Sequence, residues 1–164
     1  MRLLLIRHGI AVPSGTPGIA DDDRPLTPRG RSRFRAAARG LARILDRPDL
    51  LLTSPLPRAR CTADIAARAF GRLQPRPETV LAHGGAEAIL ALLARQPTDA
   101  SVALVGHEPV LSLLLARLLG SGRGERFAFK KGGAALVDLP DGPGGGGRLV
   151  WFLKPRILRA LGKI

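Results

Sequence analysis

The apolar residues fall into short unbroken runs separated by longer stretches with helical spacing. Residues 2–6 form the first run and end in Arg7-His8-Gly9, which reads as a buried strand closed by a glycine-assisted turn. Residues 10–26 are rich in Pro, Gly and Asp and read as loop. Thr27-Pro28 has the form of a helix start, with threonine as N-cap and proline at the first helical position. The helix is expected to run to about Leu45, with Phe34, Ala37, Ala38, Leu41, Ile44 and Leu45 on one face. A second strand is predicted over 49–53 and a helix from Pro57 to Phe70. A third strand is predicted over 77–81 and a helix over 86–95. A fourth strand over 101–105 ends in Gly106-His107, and an apolar helix follows over 109–119. Two strands near 133–139 and 148–153 flank a glycine-rich turn, Asp141 to Gly147, that reads as a hairpin connection. A short basic helix closes the chain. No internal repeat is visible.

Strands alternating with helices predict an α/β sandwich with a mostly parallel central sheet. In such sheets ligands bind at the carboxyl ends of the strands. Three polar clusters follow predicted strands: Arg7-His8, then Ser54 to Arg58, then His107-Glu108. They are therefore expected to meet at one edge of the sheet.

Composition narrows the setting. A chain of 164 residues fits one ordinary domain and can bury a core without cross-links. Cys61 is the one cysteine, so no internal disulfide can form, which suits a reducing compartment. The apolar run Leu3 to Ile6 is shorter than a signal peptide or a membrane span requires. A cytoplasmic protein without membrane contact is expected. The net charge is +13, with 22 arginines and 4 lysines. That charge attracts polyanions in general. It also accompanies abundant Ala, Gly and Pro, which points to a compositional origin. Arg31, Arg35, Arg39 and Arg43 have the spacing of a solvated helix face. With five Phe, one Trp and no Tyr, few aromatics are available for stacking on bases, so no specific nucleic acid is expected.

The clusters suit phosphoryl chemistry. Arginine presents a planar fork matched to phosphate oxygens and keeps its charge. Arg7 and Arg58 are placed for this, and Arg58 opens a helix whose amides favour anions. A neutral His8 could then attack phosphorus. Two charges about 4 Å apart interact by about 4 kcal/mol at an effective dielectric of about 20, so neighbouring arginines are expected to keep His8 neutral. A backbone carbonyl would have to fix its tautomer. His107 could donate to an equatorial oxygen of the transition state. A lone histidine is more often structural; two histidines placed alike beside arginines are not the ordinary case. No metal or other cofactor is expected, since no His-x-x-x-His spacing occurs and the arginines would repel a cation.

Four segments then stand out in order: Leu5-Ile6-Arg7-His8-Gly9, Leu26-Thr27-Pro28-Arg29-Gly30, Ser54-Pro55-Leu56-Pro57-Arg58-Ala59-Arg60-Cys61-Thr62-Ala63, and Val105-Gly106-His107-Glu108-Pro109. Together they resemble the histidine phosphatase superfamily, which includes the phosphoglycerate mutases, from residue 2 to about 153. The short length and the Val-Gly-His-Glu-Pro form are most similar to the SixA-type phosphohistidine phosphatases. The resemblance implies a three-layer α/β/α sandwich of the phosphoglycerate mutase-like kind. It implies His8 as phosphoryl acceptor, Arg7 and Arg58 as phosphate-binding residues, and His107 as the residue completing the pocket. Ser54 and His83 are candidates for substrate contact, though Ser54 also suits a helix start and His83 a loop. Thr27 and Arg29 start the first helix near the site. Cys61 stands where relatives often have Gln. A phosphate or sulfate ion is expected to fit the site.

Relatives that cleave phosphate esters usually carry a glutamate as general acid after the third strand. Here that segment reads Glu78-Thr79-Val80-Leu81-Ala82-His83-Gly84-Gly85-Ala86-Glu87 and lacks the usual form. Imidazole leaves with a conjugate-acid pKa of about 6.5. An alkoxide resembles hydroxide, whose conjugate acid water has a pKa of about 15.7. A site without a dedicated acid should therefore prefer P–N bonds. The leading expectation is a phosphatase for phosphohistidine on a protein, working in a shallow crevice. A general phosphomonoesterase for a small metabolite, with His83 or Glu87 as acid, is the first alternative. A non-catalytic polyanion-binding protein is the second.

Overall fold

The structure, a computed structural model, describes residues 1–163. Six strands form one sheet: β1 (Arg2–Arg7), β2 (Leu50–Thr53), β3 (Arg76–Pro77), β4 (Ser101–Gly106), β5 (Ala134–Asp138) and β6 (Arg148–Leu153). Their order across the sheet is β3-β2-β4-β1-β5-β6. The first four run parallel, while β5 is antiparallel to β1 and β6 is antiparallel to β5. The helices are α1 (Pro28–Ile44), α2 (Pro57–Ala69), α3 (Val80–His83), α4 (Ala86–Ala94), α5 (Val110–Leu118) and α6 (Pro155–Leu161). No helix among the described residues is long and apolar enough to cross a membrane.

The pleat sorts the core into two layers. Leu4 and Ile6 of β1 pack with Phe34, Leu41, Ala63 and Leu158, from α1, α2 and α6. Their neighbours Leu3 and Leu5 point the other way, onto Ile89, Leu93, Leu114 and Leu115 from α4 and α5. β4 divides likewise, with Ala103 and Val105 in the first layer and Val102 and Leu104 in the second. A strand covered on both faces must be apolar throughout, which is why these strands read as unbroken runs rather than alternating ones. The three-layer α/β/α sandwich with a mostly parallel sheet is thus the observed architecture.

Local signals place α1 closely. Thr27 Oγ1 accepts the Gly30 amide at 2.9 Å, and Pro28 occupies the first turn. Gly30 lies against the backbone of Ile10: a Cβ there would stand 2.0 Å from the Ile10 carbonyl oxygen. Gly40 lies equally close to the Leu158 carbonyl and lets α6 rest on α1.

Three expectations are corrected. The third strand is only two residues long, pairing with Leu52 and Thr53. From Val80 the chain turns helical, and Leu81 enters the core from that turn; a short apolar pair fits either state. Ile44, expected on the buried face of α1, is 38% exposed, while Leu45 beside it packs against the core. Short 3-10 turns at Asp21–Asp23 and Gly124–Phe127 lie in stretches without a helical signal.

Candidate active site

Strand register brings the clusters together. Arg7 is opposite Gly106 in the β1–β4 pair, and Thr53 is opposite Val105 in the β2–β4 pair. The next residues, His8, His107 and Ser54, therefore leave the sheet at one edge. Backbone bonds continue the ladder: the His8 amide donates to Gly106 and the Ser54 amide to Val105. The rings of His8 and His107 stand 5.1 Å apart between centroids.

His8 is 5% exposed. Its Nδ1 lies 2.7 Å from the Gly9 carbonyl oxygen. A carbonyl only accepts, so Nδ1 carries the hydrogen and Nε2 keeps its lone pair. Burial pushes the ring pKa down to about 3, with smaller contributions from His107, Arg58 and Arg7; the Gly9 bond opposes them. The ring is neutral as expected, but for a different main reason. Removal from water dominates, and the arginine charges are secondary.

His107 Nε2 lies 2.7 Å from the hydroxyl of Ser54, which is fully buried and also accepts the Leu56 amide at 3.3 Å. Ser54 thus both braces the turn that leads into α2 and holds the second histidine. Burial, then Arg58 and Arg7, lower the His107 pKa to about 4.

Arg7 donates through Nη1 to the Phe129 carbonyl. Arg58, in the first turn of α2, donates through Nη1 to the carbonyls of Asp21 (2.9 Å) and Asp22 (3.4 Å). Its Nη2 is 3.9 Å from an Asp21 carboxylate oxygen. Burial lowers the pKa of both guanidiniums, though such groups stay charged. Three buried nitrogens here have no partner among the described residues: Arg7 Nε, Arg58 Nε and His107 Nδ1. An unpaired buried donor or acceptor costs about 1–3 kcal/mol. Three of them on the residues around His8 make a site suited to an oxyanion.

The remaining candidates make no bond to the four central residues among those described. His83 is exposed at the end of α3, and no hydrogen bond or ion pair joins its ring to the four central residues among those described. Glu87 pairs at 2.9 Å with Arg117, in the last turn of α5 and ten residues beyond His107. Cys61 is half-buried against the core, and burial raises its thiol pKa, which does not suit a nucleophile.

Other residues support the site without a sequence signal. Thr62 Oγ1 accepts the Gly9 amide at 3.0 Å and donates to the Arg58 carbonyl at 2.7 Å, tying the His8 turn to α2. Glu108, beside His107, accepts the Phe129 amide at 2.8 Å and the Ser112 hydroxyl. It holds the backbone of Phe129, the residue whose carbonyl receives Arg7.

The sequence profile of the histidine phosphatase superfamily (branch 1) matches residues 3–84, half of the chain, and takes in His8 and Arg58. With His107 brought to them by the fold, the chain belongs to the histidine phosphatase superfamily, and it is a phosphatase. An uncharacterized protein of Picosynechococcus sp. is 37% identical over 145 residues, spanning 87% of this chain and 86% of that protein. The structure of an Agrobacterium tumefaciens protein assigned as the phosphohistidine phosphatase SixA is similar with a TM-score of 0.81 and 31% identity, over 94% of this chain and 97% of that one. The protein histidine phosphatase SixA complexed with tungstate is similar with a TM-score of 0.78 and 25% identity, over 96% and 99%.

Proposed function

We propose that this phosphatase hydrolyses phosphohistidine on a protein, with His8 as the phosphoryl acceptor. The carrying observation is the His8 ring: neutral, and turned by the Gly9 carbonyl so that Nε2 keeps its lone pair. Nε2 attacks phosphorus, the P–N bond to the substrate imidazole breaks, and that imidazole leaves neutral with a proton from water or its own ring. Water then attacks phospho-His8, releasing phosphate and restoring the ring. Arg7 and Arg58 hold the phosphoryl oxygens through Nε, which no protein group occupies. A dianion there favours protonation of His107. The charged ring donates from both nitrogens, Nε2 to Ser54 and Nδ1 to an oxygen of the transition state.

The preference for a P–N bond is supported by the state of the two candidate acids. Glu87 is held by Arg117, and His83 is exposed at the end of a short helix. General acid catalysis is worth about 10²–10⁴-fold for a poor leaving group and much less for imidazole. Turnover of a phosphohistidine peptide and of an alkyl phosphate should differ by at least that range. Acid-free quenching should trap phosphate on wild-type protein and not on His8→Ala. Equal turnover of the alkyl ester would mean a general phosphomonoesterase instead. Full activity in His8→Ala would remove the covalent mechanism.

A further inference from the structure

Helix α1 carries six arginines, at 29, 31, 33, 35, 39 and 43, and no acid. Helix α6 adds Arg156 and Arg159, again without an acid. The ion pairs among the described residues use Arg2, Arg24, Arg58, Arg76 and Arg117, so none of the α1 or α6 arginines is paired. Like charges four apart on a helix are destabilising, and α1 repeats that arrangement.

Position matters more than number. Arg33, Lys131 and Arg159 surround a cleft whose wall includes the backbone of Gly9 and Gly132. The Gly132 amide donates to the carbonyls of Arg7 and His8 at 3.1 and 3.0 Å. The cations thus stand beside the segment that carries the nucleophile. The cleft holds only about 10 Å³, room for about one water. It is not a ligand pocket, and its charges act at the surface. Arg29 and Arg159 are close enough to Arg33 to lower its pKa by repulsion. No acid lines the cleft of Arg33, Lys131 and Arg159, whereas Asp46, Asp99 and Asp138 share a cleft at the opposite end of the sheet with Arg2, Arg47 and Arg148, and Asp21 lies against Arg58. An arginine-rich composition accounts for the number of cations but not for a cleft beside Gly9 lined by three cations and no acid.

We propose that Arg33, Lys131 and Arg159 form a docking surface for an acidic segment of the phosphorylated protein, beside the position where His8 receives the phosphoryl group. This rests on the phosphohistidine-protein reading of the site and adds the chemistry of its partner. Complementary charge there steers the encounter and fixes orientation. An acidic protein fits better than nucleic acid, because the chain offers few aromatic side chains for stacking.

Two phosphohistidine peptides of equal length serve as probes, one flanked by four glutamates and the other by four glutamines. At low ionic strength wild-type protein should favour the glutamate peptide by about tenfold in kcat/KM, and 0.5 M salt should abolish the preference. R33E/R159E should lose the preference while turning over the glutamine peptide within about twofold of wild type. R33Q/R159Q should fall between them, and it guards against a fold defect in the first variant. R39E/R43E changes net charge equally but further along α1, and should keep the preference. Equal preference in wild type and R33E/R159E, or equal loss in R39E/R43E, would overturn the docking surface. So would tighter binding of a 15-residue oligothymidylate than of the glutamate peptide, lost in R33E/R159E. Turnover of the glutamine peptide by wild type tests the site reading separately. Without it that reading falls too; with it and no acidic preference, only the docking surface falls.

Discussion

Ser54 Oγ lies 2.7 Å from Nε2 of His107, and the serine is fully buried. That bond orients a ring whose other nitrogen is buried without a partner. Ser54→Ala would leave Nε2 unpaired and free the ring to rotate. A neutral buried hydrogen bond contributes about 1–1.5 kcal/mol, which corresponds to about a tenfold loss of rate when expressed in the transition state. We expect kcat to fall by about that factor while KM changes less. Steady-state kinetics with a phosphohistidine peptide check this, and an unchanged kcat would show that Ser54 serves only the turn that leads into α2.

The meeting of His8, Ser54 and His107 at one sheet edge was legible because each has a local signature. A buried parallel strand is an unbroken apolar run, and a polar residue beside glycine or proline at its end marks the sheet edge. His8, Ser54 and His107 all follow that rule, and register then brings them together. The supporting contacts have no such signature. Arg58 is held by the carbonyls of Asp21 and Asp22, and a carbonyl is present at every position. Glu108 meets Phe129 across 21 residues, through a backbone amide. Thr62 reads as one more helix residue until Gly9 is seen beside it. The main cause of the low His8 pKa is burial, which depends on how the finished layers pack.

Glu108 gives the second prediction. Its carboxylate receives the Phe129 amide, and the Phe129 carbonyl receives Arg7. Glu108→Ala leaves that amide unpaired beside a fully buried ring, and Arg7 loses both a fixed carbonyl and a nearby negative charge. Loss of one held charged contact is worth about 1.5–3 kcal/mol. Inhibition by inorganic phosphate should weaken at least tenfold, and KM should rise more than kcat falls. Glu108→Gln keeps an oxygen for the amide and should recover most of the affinity. An Ala variant that binds phosphate like wild type would separate Glu108 from Arg7.

Helix contact gives the third. A Cβ at residue 40 would stand 2.0 Å from the Leu158 carbonyl oxygen, and one at residue 30 equally close to that of Ile10. Both obstacles are backbone, so helices or loop must move apart. Overpacking of this kind costs about 1–3 kcal/mol. Gly40→Ala should lower stability to urea by about that amount with normal kcat/KM for the glutamine-flanked peptide, since its close contacts are with Leu158 and Gly162 and not with the Gly9 segment. Gly30→Ala should lose both stability and activity, because Ile10 follows Gly9 at the site. Denaturation curves and kinetics on the two variants test the distinction, and normal activity in Gly30→Ala would contradict it.

The two histidines also set a pH dependence of stability. In the unfolded chain an imidazole titrates near 6.5. In the fold burial holds His8 at about 3 and His107 at about 4. Below pH 6.5 the unfolded chain binds protons that the folded chain refuses, so acid favours unfolding. The full contribution is present above pH 6.5 and is lost as pH falls toward the folded values. Each ring accounts for about 1.4 kcal/mol per pH unit in that window. At pH 5 the loss is about 2 kcal/mol for His8, and somewhat less for the half-buried His107. Urea unfolding of wild type at pH 7.5 and pH 5 should show the combined drop. His8→Ala should show roughly half of it, because one of the two reluctant rings is gone. An equal drop in wild type and His8→Ala would mean that the His8 ring takes up a proton as readily in the fold as in the open chain, and the neutral nucleophile would be lost with it.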